Sequence, residues 1–147
     1  MLPEEARWLG QHISSVEVNR LSPMLNIGSS TGRFVTRAQP WIDEFVFAPL
    51  RARGVQVLNS DLKAAPGVDL VGDLEDPRFL EELSKQEFKS LLCSNLLEYV
   101  RSPARIARTL AGAVVPGGYL FVTGPYRYPF QAVKQTAPHL GKFEQAT

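Results

Sequence analysis

The 147-residue sequence is poor in the residues that build covalent or metal-held structure: it has one cysteine, Cys93, and two histidines, His12 and His139. A single cysteine excludes an intramolecular disulfide and every thiolate zinc cluster, and it fits a reducing compartment. Long apolar runs are missing too. Nothing approaches the roughly 18–20 residues that a membrane span needs, and the opening Met1-Leu2-Pro3-Glu4-Glu5 is acidic where a secretory signal is basic. A cytoplasmic protein with no membrane partner is expected. Neither sign of charge dominates, since 16 Lys and Arg face 15 Asp and Glu. The distribution is uneven, with acids concentrated between Asp61 and Glu87 and bases after Glu98, but no block of like charge reaches the length of a binding tail. Nucleic acid is not an expected partner.

What is present suits one globular domain. Hydrophobic residues make up 44% of the chain, and a chain of this length buries about 68–70% of the surface it exposes when unfolded. Pro3 to Ile13 reads as an amphipathic helix with Trp8, Leu9 and Ile13 inward, followed by a polar linker. Met24-Leu25-Asn26-Ile27 is an apolar run ending in Gly28-Ser29-Ser30-Thr31-Gly32, the pattern of a buried strand entering a turn. Pro40 to Arg53 reads as a helix with Trp41, Ile42, Phe45, Val46 and Leu50 inward, kinked or shortened by Pro49. Val55 to Leu58 and Val68 to Val71 are strand-like and closed by Asp61 and Asp73.

Asp76-Pro77 and Ser102-Pro103 each place a capping residue before a proline at the first helical position. Between these two helices Phe88 to Ser94 is a strand, and Pro116-Gly117-Gly118 stops the second helix ahead of a last strand, Tyr119 to Thr123. Apolar strands alternating with helices predict an α/β fold, an open, doubly wound, mostly parallel sheet of about five strands. Ligands of such sheets bind beyond the carboxyl ends of the strands. The candidate positions are therefore Gly28 to Gly32, Asp61, Asp73-Leu74, Ser94-Asn95-Leu96 and Gly124 to Tyr126. The glycines permit close backbone approach to a ligand, and the two aspartates suit ribose hydroxyls or an adenine amine. Taken singly, each of these residues also fits a turn or a helix cap.

The run Met24 to Gly32 resembles the first motif of class I S-adenosylmethionine-dependent methyltransferases, and Val71-Gly72-Asp73-Leu74 resembles their third. Leu92-Cys93-Ser94-Asn95-Leu96-Leu97-Glu98-Tyr99-Val100, followed by Val115-Pro116-Gly117-Gly118-Tyr119-Leu120, is similar to the S-N-x-L-E-H-V and L-x-P-G-G-x-L signature of the type 11/12 group. The resemblance spans Leu21 to Tyr126 and implies a Rossmann-like S-adenosylmethionine-binding domain over residues 1–126, with an irregular tail at 127–147. It implies that Asn26, Gly28, Ser29, Ser30, Thr31 and Gly32 receive the methionine part of the cofactor. Asp61 would take the ribose, Asp73 and Leu74 the adenine, and Ser94, Asn95 and Leu96 the floor near the sulfonium. A small-molecule methyl acceptor is implied, and no catalytic residue or metal site is assigned.

The sequence departs from the family pattern at Tyr99, where histidine is common, and at Asn26, where an acid is common. Family domains also continue past the fifth strand into a helix and an antiparallel pair, so a chain truncated after that strand is expected to leave a sheet edge open to a homodimer partner. The alternative reading is a non-catalytic methyltransferase-like module acting through protein interaction. A nicotinamide-dependent oxidoreductase fits less well, because Gly28 to Gly32 lacks the G-x-G-x-x-G spacing.

Overall fold

The computed structural model describes residues 1–125. The expected tail at 127–147, with Tyr126 and His139, lies outside the described residues. Helix α1 (Pro3–Ser14) and a short α2 (Val18–Leu21) lead into β1 (Met24–Ile27). A largely helical stretch follows, in which two π-helical turns, Phe34–Ala38 and Asp43–Phe47, alternate with α3 (Pro40–Ile42) and α4 (Ala48–Ala52). Then come β2 (Val57–Asp61), β3 (Leu70–Val71), α5 (Pro77–Ser84), β4 (Phe88–Ser94), a 3-10 turn (Leu97–Tyr99), α6 (Pro103–Gly112) and β5 (Val114–Thr123).

All five strands are parallel, in the order β3-β2-β1-β4-β5. The chain moves outward from β1 through β2 to β3, then returns to the other side of β1 for β4 and β5. The order therefore reverses between β1 and β4, which is where an open α/β sheet binds ligands. Period-2 alternation in β1 and β4 feeds two cores. Met24 and Leu92 pack under Leu9, Ile13, Ile42, Val46 and Leu50, while Leu25, Ile27, Leu91 and Cys93 pack under Leu80, Leu83, Ile106 and Leu110. Helices thus cover both faces of the sheet, as the apolar strand runs predict.

Several local expectations are corrected. Trp8 is 51% exposed, because the buried stripe of α1 runs through Ala6, Leu9, Gly10 and Ile13 at helical spacing. The polar linker contains α2, whose Leu21 is buried. The Pro40 to Arg53 helix begins where expected but is widened rather than shortened. Pro49 offers no N–H to the Phe45 carbonyl, and the helix passes through a π turn just before it. Strand β2 starts two residues later than expected and runs on to Asp61, while β3 ends at Val71 as expected but is reduced to Leu70–Val71. Asp76 caps α5 by accepting the Arg78 N–H at 2.9 Å, whereas the Ser102 side chain makes no capping bond to α6. Pro116-Gly117-Gly118 lies inside β5 rather than before it, forming an irregularity where the register with β4 shifts. Among the described residues no helix is long and apolar enough to cross a membrane.

Candidate functional site

The carboxyl end of β1 turns at Gly28, which has φ +69°, and Ser30, which has φ +59°. Backbone amides of this loop are bound to its neighbours. The Ser29 N–H donates to the Ser60 carbonyl at 3.0 Å and the Gly32 N–H to the Pro66 carbonyl at 3.1 Å. The Ser30 N–H donates to Asp61 Oδ2 at 2.8 Å, while Asp61 Oδ1 accepts the Lys63 N–H at 3.0 Å. Asp61 therefore clamps the glycine loop to the end of β2. Gly67 lies close against Gly32, so the two glycines let the 63–67 loop seat on the first loop, where a Cβ on Gly67 would lie 3.0 Å from the Gly32 Cα.

Under this loop is a cavity of about 210 Å³ on the α1 side of the sheet. Ser29, Ser30, Thr31 and Gly32 form one wall, Val57 and Asn59 the floor, and Phe47 with the Asp43–Arg51 ion pair the far side. Arg51 grips Asp43 through two bonds of 2.8 and 3.0 Å, which raises the guanidinium pKa further. Asn26 sits beside the floor, 6% exposed, and donates from Nδ2 to Asn59 Oδ1 at 2.9 Å across the β1–β2 register. The two asparagines form a neutral amide pair between β1 and β2.

Across the reversal point, β4 ends in Ser94 and Asn95, the latter with φ +50°. The Leu96 side chain leans over Gly28, and a Cβ on that glycine would stand 2.9 Å from Leu96 Cδ1. Gly28 and Leu96 are thus in contact, joining the carboxyl ends of β1 and β4. Farther along the sheet, Asp73 accepts the Glu75 N–H at 2.8 Å, and Leu74 is buried in the core with Leu80 and Leu83. Asp61, Asp73, Leu74, Ser94, Asn95 and Leu96 do not line the cavity; Ser29 to Gly32 do.

Glu5, from the first turn of α1, was not expected here. Its Oε1 accepts from Thr123 Oγ1 at 2.6 Å, Asn95 Nδ2 at 2.8 Å and Ser94 Oγ at 3.1 Å, and its Oε2 from the Leu2 N–H at 3.2 Å. Burial acts to raise its pKa, but these donors outweigh burial and hold it below the ordinary 4.5. Because the folded value is depressed, the stabilisation is present above pH 4.5 and is lost as pH falls through the lower folded value. Glu5→Gln is expected to be less stable than the parent at neutral pH, with the gap narrowing in urea titrations run progressively below pH 4.5. A gap that is constant with pH would contradict a bound carboxylate.

Asn59 was missed as well. Its only sequence signal is an asparagine in the apolar run before Asp61, matching Asn26 in β1. Cys93 and His12 are badly placed for nucleophilic or base chemistry. Burial, aided by the nearby negative Glu98, pushes the Cys93 thiol up to about 12, so it stays protonated. His12 is at the surface, with Nδ1 2.7 Å from the Trp8 carbonyl. Among the described residues no group of three or more His, Cys, Asp or Glu side chains converges to hold a metal ion. In comparisons with known proteins, no protein-family model and no curated protein matches the chain.

Proposed function

We propose that the chain is an S-adenosylmethionine-dependent methyltransferase that acts on a small-molecule acceptor in the cytoplasm. The observation that carries this reading is the meeting of Gly28 with Leu96 at the point where strand order reverses. It supports a nucleotide-type ligand lying across the carboxyl ends of β1 and β4. Gly28 to Gly32 then face the methionine part, Asp61 the ribose, Asp73 and Leu74 the adenine, and Ser94 to Leu96 the sulfonium. Binding requires Asp61 to exchange at least one backbone N–H for a ribose hydroxyl.

Transfer of a methyl group needs no acid for its leaving group, because sulfur departs as a neutral thioether. Positioning can then supply much of the rate. That fits a site without a poised histidine or thiolate among the described residues. Replacing Asp73 by alanine is expected to weaken S-adenosylhomocysteine binding by about 1–3 kcal/mol, the cost of losing one polar partner. Calorimetric titration reads this directly, and an unchanged affinity removes Asp73 from the site.

A second reading has its own support. Among the described residues the outer edge of β5 pairs with no strand, and Leu120 and Val122 beside it are 40% and 45% exposed. An open edge of this kind suits a homodimer or an interaction module. A strictly monomeric mass by light scattering, together with cofactor binding, counts against it.

A further inference from the structure

We propose that Glu5 is the counter-charge for the sulfonium of the methyl donor, so that this end of the sheet distinguishes the charged donor from its neutral product. The inference rests on the methyltransferase reading. Its starting point is the position of the carboxylate, bonded to the Ser94 and Asn95 side chains that the motif places beneath the sulfonium.

The bonding explains why charge matters here. Oε1 is filled by three donors from β4, the residue after it, and β5, whereas Oε2 carries only the Leu2 N–H and keeps acceptor capacity. A glutamine carbonyl has two lone pairs for those three donors, so the cluster already favours an ionised group. The ion pairs among the described residues are Arg51–Asp43, Lys85–Glu81 and Arg105–Glu75, and none involves Glu5. Glu5 is thus a carboxylate held ionised by hydrogen bonds and lacking an ion-pair partner among the described residues. A bound sulfonium supplies that partner.

The donors that keep Glu5 ionised also make it a poor proton acceptor, so it acts on charge rather than as a base. On transfer, the acceptor's lone pair forms the bond to the methyl carbon, and the carbon–sulfur bond breaks. Sulfur keeps that electron pair and becomes neutral, and any proton on the acceptor passes to water. The attraction to Glu5 vanishes with the sulfonium charge, so the product is held less tightly than the donor.

The test is calorimetric titration of the full chain and of Glu5→Gln with S-adenosylmethionine and S-adenosylhomocysteine. The parent is expected to bind the sulfonium compound more tightly, and Glu5→Gln to lose about tenfold in affinity for it while its affinity for the thioether holds. Equal losses for both ligands, or an unchanged ratio, overturn the role of Glu5 and leave the methyltransferase reading standing. A parent that binds neither compound overturns both. Should Glu5→Gln fail to fold, the parent alone decides: thioether binding as tight as, or tighter than, sulfonium binding overturns the proposal.

Discussion

Gly10→Ala is expected to destabilise the chain by about 3 kcal/mol, although the same change in an open helix stabilises by up to about 1 kcal/mol. The sign reverses because of what lies opposite. A Cβ on Gly10 would collide with the Phe45 carbonyl oxygen, which is backbone and cannot rotate away. That carbonyl is the one to which Pro49 has no N–H to give, at the π turn where the helix widens. Alanine must therefore push α1 off the 43–47 turn, opening the core that holds Leu9, Ile13 and Val46. At roughly 2–4 °C per kcal/mol for a chain of this size, thermal unfolding should fall by about 6–12 °C. Gly112→Ala is the matched control, since nothing lies within 4 Å of a Cβ there. Its midpoint should hold or rise slightly, and two variants that behave alike would contradict the close packing of α1.

Gly28→Val should combine a stability loss with a loss of cofactor binding. Valine at φ +69° is strained by about 1–2 kcal/mol, and its methyls meet Leu96, three of whose side-chain carbons lie 2.9 to 3.2 Å from a Cβ at that position. Overpacking adds about 1–3 kcal/mol, so roughly 2–5 kcal/mol is expected in urea unfolding. On the proposed reading, the affinity for S-adenosylhomocysteine should fall below detection even where the variant is still folded, because the branched side chain occupies the space between the ends of β1 and β4. Pairing Gly28→Val with Leu96→Ala, which removes the opposing carbons, should recover part of the stability but not the strain at residue 28. Full recovery would mean that crowding alone, and not the left-handed turn, dictates glycine here.

Much of the fold was legible because the strands carry it locally. Met24 to Ile27 and Phe88 to Ser94 are apolar runs bounded by turn residues, and both form strands over those same residues. Asp76-Pro77 announced α5 through a cap that the structure makes. What failed depends on neighbours distant in sequence. Trp8 has the composition of a core residue, yet the stripe facing the sheet leaves it outside, where it lies against the His12 ring. Pro116-Gly117-Gly118 has the chemistry of a helix stop, yet the chain is already extended at Val114 and absorbs the three residues as a shift against β4. The site shows the same division. The loops at the strand ends could be read from their glycines and acids, whereas Glu5 meets Asn95 and Thr123 only because α1 folds back across the sheet, 90 and 118 residues away in sequence. No spacing rule reaches that far. The Asn26–Asn59 pair lay between these cases, visible as two polar interruptions but meaningful only through the β1–β2 register.

The central claim is that S-adenosylmethionine lies across the carboxyl ends of β1 and β4, where strand order reverses. Thermal unfolding of the chain with S-adenosylhomocysteine, and with NADH as the control, tests it most directly. At a hundredfold excess over the dissociation constant, a ligand that binds only the folded state adds about 2.7 kcal/mol, enough to raise the midpoint by several degrees. The methyltransferase reading predicts that rise with S-adenosylhomocysteine and none with NADH. A rise with NADH alone, or no rise with either compound, would contradict it.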